Sequence, residues 1–139
     1  MLKLSFGVLI CLLCSVLTSI VSAQGYSDSQ PTPIEVIKSA KVIFIRSDSA
    51  FVKSEALESE MLKQPLVRDW GLIITRDQFK AEMIVEVKRK PLSRKYILSV
   101  FDPRTNTVLF AGNVRNSIFS NLHRKLAEKF VEHMREAGR

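Results

Sequence analysis

The sequence predicts an α+β domain in which a mixed sheet of about five strands packs against two helices in a single two-layer arrangement. Three observations support this fold class. Short runs of β-branched and aromatic residues recur through the middle of the chain, separated by polar breaks. A segment with a helical apolar side follows the first run, and a second such segment ends the chain. Together they give the order βαββββα.

The first strand and the first helix are expected between residues 40 and 65. Residues 40–46 contain the apolar run VIFI, which is typical of a strand covered on both faces. The next segment has a helical apolar side made of Val52, Ala56, Leu57, Met61 and Leu62. Asp48 or Ser49 is expected to cap this helix, and Pro65 to end it. Residues 70–75 then predict a second strand, and a helix between two strands favours a parallel crossover.

Three more strands follow, and two of them form a recognisable hairpin. Residues 81–88 alternate between apolar and charged side chains, with Ile84 as the exception, which indicates a half-buried strand. Residues 96–101 and 107–114 are apolar runs joined by the segment DPRTN. Its Asp-Pro start favours a type I turn, and Asn106 can take the left-handed conformation that closes such a hairpin.

The last helix is expected over residues 118–136. Its apolar stripe consists of Phe119, Leu122, Leu126, Phe130 and Met134, spaced three or four residues apart. Asn116 or Ser117 can cap it, and Gly138 can end it. A helix with one apolar side must bury that side, so the stripe is expected to lie on the sheet. Trp70 is expected in the same core.

The first 23 residues have the pattern of a secretory signal peptide. Lys3 precedes an uncharged, largely apolar stretch that ends in Val21-Ser22-Ala23, after which the sequence turns polar. Cleavage after Ala23 is the natural expectation and places the protein in the periplasm or outside the cell. Residues 24–39, rich in Ser, Gln and Pro, are then a flexible leader, and residues 40–139 form the domain.

Two other interpretations of this segment stay open. About 18 apolar residues are just enough to span a bilayer, so the segment could remain as an anchor. Cys11 and Cys14 lie at a depth suited to lipid attachment, although Leu13, which precedes Cys14, is larger than a lipidation site prefers. After cleavage no cysteine would remain, so neither a disulfide framework nor a thiolate metal site is expected.

The charge pattern indicates how the domain could bind a partner. The chain has a formal net charge of +7, which favours anionic neighbours. Five cations cluster between two predicted strands: Lys88, Arg89, Lys90, Arg94 and Lys95. At a hairpin tip they would form a basic loop, with Leu92 as a small apolar contact, and Arg104 and Arg115 would extend it if they lie on the same side. The alternative is a solvated loop whose lysines protect a sheet edge from strand pairing.

No motif for catalysis or for a cofactor is present, and no metal site is expected. His123 and His133 are ten residues apart on one predicted helix, too far apart to share an ion. Glu82 and Glu86 lie on one face of a strand, where charge pairs with lysines are more typical than paired acid and base roles. The sequence lacks both a GxSxG elbow and a glycine-rich phosphate loop. Aromatic residues do not interleave with the basic cluster, so a nucleic acid is not an expected partner.

The succession of VIFIRSD, a helix, WGLIITRDQFKAEMIVEV, the hairpin YILSVFDPRTNTVLFAGNV and a closing amphipathic helix resembles a known group. It is similar to the small periplasmic α/β domains of bacterial envelope proteins. These include the amino-terminal domain of the translocation protein TolB and the outer-membrane activators of penicillin-binding proteins. Where those domains often carry Ala-Asp ahead of the third strand, this chain has Ala81-Glu82. The resemblance implies an envelope protein that binds partners, without specifying which.

The sequence therefore predicts an exported, non-enzymatic binding or accessory domain of the cell envelope. Its partner would be an envelope protein, an anionic polymer or an anionic lipid surface, bound through the sheet edge or the basic loop. The alternative is a small envelope hydrolase or accessory enzyme, which would need a deep polar pocket holding a carboxylate of perturbed pKa.

Overall fold

The computed structural model describes residues 30–117 and 121–139 of the chain. The helices within these ranges are α1 (Pro33–Ser39), α2 (Ser54–Leu62), α3 (Pro65–Asp69) and α4 (Leu122–Glu136), with a short 3-10 turn at Gln78–Lys80. The strands are β1 (Val42–Ser47), β2 (Ile73–Thr75), β3 (Met83–Arg89), β4 (Lys95–Asp102) and β5 (Thr107–Arg115). The predicted signal peptide at residues 1–23 and both cysteines lie outside the described residues.

The strands form one open mixed sheet in the order β2-β1-β3-β4-β5. β1 is parallel to both of its neighbours, and β3, β4 and β5 follow one another as an antiparallel meander. The predicted α+β class, the parallel crossover from β1 to β2 and the β4–β5 hairpin are thereby confirmed. Because successive turns of a meander lie at opposite ends of the sheet, the β3–β4 turn and the β4–β5 turn point in opposite directions.

The core lies between one face of the sheet and the helices. Ile43 and Ile45 of β1 align with Met83 and Val85 of β3, and all four are fully or nearly fully buried. The stripe of α4 packs on the same side through Leu122, Leu126, Phe130 and Met134, as predicted. Phe119, the first residue of that stripe, lies outside the described residues. The alternation of strand residues and the period of the helix thus converge on a single apolar layer.

A helix occupies part of the segment expected to be a flexible leader. Thr32 caps α1 in a reciprocal box with Glu35, and Pro33 occupies the first turn, where its missing N–H costs nothing. Val36 and Ile37 of this helix are buried in the core. The leader interpretation is therefore wrong for residues 33–39, because two buried apolar side chains and a good cap are enough to dock this short helix. Residues 24–29 lie outside the described part.

Several predicted helix ends also differ from the structure. Asp48 does not cap α2, because its N–H continues the ladder by donating to the carbonyl of Val87, and α2 instead begins after Lys53 with no side-chain cap. Pro65 ends α2 but also starts α3. Trp70 therefore closes α3, only partly buried against the core, and β2 is shortened to three residues.

The other ends are set by local backbone geometry. Asn121 caps α4, where Asn116 or Ser117 was expected. Asn106 and Gly138 have φ of 55° and 83°, so both take the predicted left-handed conformation. Within the described ranges, no helix has the length and apolar character needed to cross a membrane.

Candidate functional site

The five predicted cations of the basic loop lie together at the β3–β4 turn. Lys88 and Arg89 end β3, Lys95 starts β4, and the turn between them is closed by a hydrogen bond of 2.9 Å from the Lys90 N–H to the Lys95 carbonyl. Ser93 locks the turn from within, since its hydroxyl donates to the Lys90 carbonyl and accepts from the Lys95 N–H. The turn therefore presents its side chains from a fixed backbone.

The five cations differ in how their charge is used. The Lys88 ammonium lies 2.7 Å from the Glu86 carboxylate and 3.9 Å from that of Asp48, so its charge is compensated. Lys90, Arg94 and Lys95 are exposed, and none of them joins an ion pair with any residue that the structure describes. Three uncompensated positive charges within six residues create a local positive potential at this end of the sheet.

Arg89 connects the turn to a second loop that the sequence did not single out. Its guanidinium lies 4.7 Å from the centre of the Phe51 ring, and its Nε donates to the Ser93 carbonyl. Phe51 is 63% exposed, although an aromatic ring of this size usually avoids water. Its position just after β1 places it at the same end of the sheet as the β3–β4 turn. A phenylalanine in a loop after a strand gives no sequence signal for this contact.

Leu92 stands at the apex of the turn with its side chain entirely exposed (107%). Its φ of 54° is in the left-handed region, which costs a leucine about 1 kcal/mol relative to glycine. The fold therefore gains nothing from having leucine here, since a glycine would close the turn without strain and an exposed apolar side chain stabilises no core.

We define the tip patch as Leu92, Phe51 and the cations Lys88, Arg89, Lys90, Arg94 and Lys95. A mostly apolar hollow of about 190 Å³ lies beside it, lined by Phe51, Arg89, Arg94, Tyr96, Asn116 and Ser117. Two guanidinium groups thus stand at the rim of an apolar depression. This arrangement suits a ligand with an anionic head and an apolar body.

The two further cations considered from sequence behave differently from each other. Arg115 pairs in register with Lys95, so it lies at the end of the sheet that carries the tip patch. Arg104 lies in the β4–β5 turn at the opposite end, where it holds Asp102 through Nε and Nη2, each at 3.1 Å. Arg104 therefore does not lie on the side of the basic loop and does not extend it, because the meander separates the two turns.

The candidate catalytic carboxylates are engaged in structural contacts. Glu86 is buried, accepts from Arg46 Nε at 2.8 Å and pairs with Lys88, which confirms the predicted charge pairing for this residue. Glu82 forms no charge pair with a described lysine, since its carboxylate instead accepts from the backbone N–H groups of Lys41 and Val42. Each carboxylate is thus held by the donors that order the sheet.

The two histidines do not form a site together. Both lie on α4, two to three turns apart, and each has a buried Nε2 without a hydrogen-bond partner among the described residues. The Nδ1 of His133 lies 3.0 Å from the Glu136 carboxylate, and its ring packs against Phe110. In the described ranges no three His, Cys, Asp or Glu side chains approach closely enough to hold a metal ion.

The pKa values of the buried carboxylates connect them to stability. Burial alone would raise the pKa of Glu86, but hydrogen bonds from Lys88 and Arg46 hold that pKa below its usual range. For Asp102 burial acts in the same direction, and the hydrogen bonds from Arg104 again bring the pKa below normal. A carboxyl with a lowered folded-state pKa stabilises the fold above its unfolded-state pKa of about 4. That contribution disappears as the pH falls through the lower, folded-state value.

Acidification is therefore expected to destabilise the protein in part through these two groups. We expect the double variant Glu86→Gln/Asp102→Asn to be less stable than the parent at neutral pH, and to lose less stability on acidification from about pH 5 to pH 2. Urea unfolding at a series of pH values measures both effects. Equal acid-induced losses in parent and variant would contradict the assignment.

Two other concave surfaces are less apolar than the hollow at the tip patch. A groove of about 470 Å³ runs between β5 and α4, lined by Asn113, Val114, Arg115, Lys125, Glu128, Lys129, Glu132 and Arg135. A smaller hollow of about 110 Å³ lies near Glu82 and Arg104, between α1 and the start of β3. Neither has the apolar enclosure typical of small-molecule sites.

Comparison with known proteins leaves the site to be interpreted from its own geometry. No protein-family model matches the sequence, and no curated protein matches it either. Among solved structures, a variant PelC dodecamer from Paraburkholderia phytofirmans is 12% identical, with a TM-score of 0.38 over 66% of this chain and 80% of that one. At this level of similarity, nothing is transferred from that protein to this chain.

Proposed function

We propose that this protein is an exported, non-enzymatic domain that docks on an anionic lipid surface through the tip patch. The observation that carries the proposal is Leu92, a fully exposed leucine held in a strained conformation between uncompensated cations. Such a residue lowers the free energy of unfolding. We therefore expect it to contact another molecule or a surface. Lysine and arginine side chains near an anionic bilayer each contribute about 1 kcal/mol of attraction.

The apolar members of the tip patch favour lipid over a soluble anionic polymer. Leu92 and Phe51 would enter the boundary between headgroups and acyl chains, where amphipathic surfaces insert their apolar side chains. Arg89 and Arg94, at the rim of the apolar hollow, would contact phosphate oxygens, which guanidinium groups bind in a bidentate manner. A polymer of sugar acids would use the cations but would leave both apolar side chains in water.

The envelope setting rests on the sequence. The signal-peptide pattern of residues 1–23 and the resemblance to periplasmic α/β domains both favour an exported protein with a binding role. A non-enzymatic role is supported by the engagement of Glu82, Glu86 and Asp102 in structural hydrogen bonds.

Cosedimentation with lipid vesicles tests the proposal. We expect the protein to bind vesicles that contain phosphatidylglycerol and not to bind vesicles of phosphatidylcholine alone. Binding should weaken as salt is raised, because the Debye length shortens from about 30 Å at 0.01 M to about 10 Å at 0.1 M. Equal binding to both kinds of vesicle, or binding to neither, would reject lipid docking.

The variant Leu92→Gly separates binding from folding. Glycine accepts the left-handed conformation, so the free energy of unfolding should rise by up to about 1 kcal/mol, while vesicle binding should weaken. Urea unfolding and cosedimentation measure the two effects on one preparation. If binding is undiminished in a variant that has gained stability, then Leu92 does not insert.

A matched pair of phenylalanines provides the control for the apolar contact. Phe51→Ser should weaken vesicle binding, whereas Phe79→Ser should not, although Phe79 is entirely exposed. Phe79 lies in the turn before β3, at the end of the sheet away from the tip patch. Losses of similar size in both variants would indicate nonspecific adsorption of exposed rings.

A further inference from the structure

Among the described residues, no strand pairs with the outer edge of β5. β5 has nine residues, contains no proline, and carries no charge before Arg115 at its end. Natural edge strands usually protect themselves with lysines, prolines, bulges or short length. The opposite edge, β2, uses short length, since it has only three residues. β5 has a bulge opposite Val100 and Phe101 but none along its last five residues.

The hydrogen bonds between β4 and β5 show which backbone groups of these last residues face outward. The Asn116 N–H donates to the Arg94 carbonyl, so Val114 and Gly112 also pair with β4 by the alternation of antiparallel strands. The N–H and C=O groups of Ala111, Asn113 and Arg115 therefore face outward. Their side chains are exposed, which leaves the edge accessible.

α4 runs beside this edge and carries charges of both signs into the groove. Gly112 shows which part of α4 lies beside the edge of β5. A Cβ built at Gly112 would lie 2.7 Å from Nε2 of His133 and 3.2 Å from Cε of Lys129. The middle of the exposed edge thus lies level with the helical turn between Lys129 and His133.

We infer that β5 pairs with β5 of a second copy of this chain, forming an antiparallel dimer about a two-fold axis at Gly112. In this register Ala111 lies opposite the partner's Asn113, and the outward groups exchange hydrogen bonds. Two-fold pairs are the commonest symmetric assemblies, and one self-complementary surface is enough to form them. The two sheets become one continuous sheet with ten strands.

Charge complementarity along α4 supports a second copy as the occupant. An axis placed within this helical turn, between residues 130 and 131, brings Lys125 opposite the partner's Glu136, and Lys129 opposite the partner's Glu132. Within one chain Lys129 already pairs with Glu132 at 2.7 Å, and Glu136 contacts His133. The dimer would join these pairs into one network, while Lys125, which has no ion pair among the described residues, would gain a partner.

Sedimentation equilibrium of the exported chain tests the dimer independently of lipid binding. We expect a dimer for the parent, and at least a ten-fold weaker association for Lys125→Glu, which places two carboxylates opposite each other in both symmetric contacts. The swap Lys125→Glu/Glu136→Lys should restore association. The control Lys53→Glu, which changes an exposed lysine outside this edge, should remain dimeric.

Two outcomes would overturn the inference. One is a parent that stays monomeric at the highest soluble concentration, and the other is a Lys125→Glu variant that associates as strongly as the parent. Circular dichroism of each variant shows whether α4 is intact, so that loss of association is not confused with loss of fold. A monomer that still binds anionic vesicles would reject the dimer and leave the tip patch unaffected.

Discussion

Charge reversal of the three uncompensated tip cations, in the variant Lys90→Glu/Arg94→Glu/Lys95→Glu, is expected to weaken binding to anionic vesicles about a hundred-fold or more. Each cation near such a surface contributes about 1 kcal/mol, so removing three costs about 3 kcal/mol before any repulsion is counted. None of the three pairs with a described carboxylate, so the substitutions break no ion pair among the residues that the structure describes. Vesicle titration of parent and variant measures the ratio of affinities.

A matched triple variant controls for net charge. Lys63→Glu/Arg68→Glu/Lys80→Glu changes the charge by the same amount on exposed residues away from the β3–β4 turn. Lys63 and Lys80 have neighbouring acidic partners three residues away, but exposed pairs of this kind contribute little to stability. We expect this triple to bind within a few-fold of the parent. Equal losses in the two triples would mean that overall charge, rather than the tip patch, drives adsorption.

Long periodic patterns were the part of the fold that could be predicted from sequence. α4 and the β4–β5 hairpin each combine an apolar repeat with a specific terminus, Gly138 or Asn106, so pattern and turn chemistry agree. β1 and β3 were placed within two residues of their ends for the same reason. Burial of one face decides such elements, and burial is encoded in the spacing of apolar residues.

Short elements depended on contacts that a linear pattern does not display. α1 has only two buried residues, and its helix follows from the cap at Thr32 and the docking of Val36 and Ile37. The sequence Thr-Pro-x-Glu at residues 32–35 is a signal that could have identified it. α3 is a single turn after Pro65, and it displaces Trp70 from the strand to which it was assigned.

The tip patch was only partly predictable. The five cations and Leu92 are consecutive enough to be recognised as one loop. Phe51 joins them only because β1 and β3 are neighbours in the sheet, which puts the loop after β1 next to the end of β3. The distance of Arg104 from the tip patch likewise follows from the strand directions, and it could not be predicted before the topology was known.

Replacing Phe130 with alanine is expected to lower the free energy of unfolding by about 3–5 kcal/mol. Phe130 is fully buried at the centre of the α4 stripe, and its ring centre lies 6.0 Å from that of Phe110 on β5. Alanine would remove this aromatic contact and leave a cavity between α4 and the sheet. The free energy of unfolding of a small domain is about 5–15 kcal/mol, so this one substitution would remove a large part of it. Urea unfolding followed by circular dichroism measures the loss.

Phe79→Ala provides the control, because it deletes the same side chain from a fully exposed position and should change the stability by less than about 0.5 kcal/mol. The difference between the two losses in the free energy of unfolding gives the effect of burial, because the side chain that is removed is the same. A loss below about 1 kcal/mol for Phe130→Ala would contradict the packing of α4 on the sheet, since no well-packed core position tolerates so large a deletion at so small a cost. The same packing holds Gly112 next to His133 and Lys129. The alignment of α4 in the inferred dimer therefore depends on it.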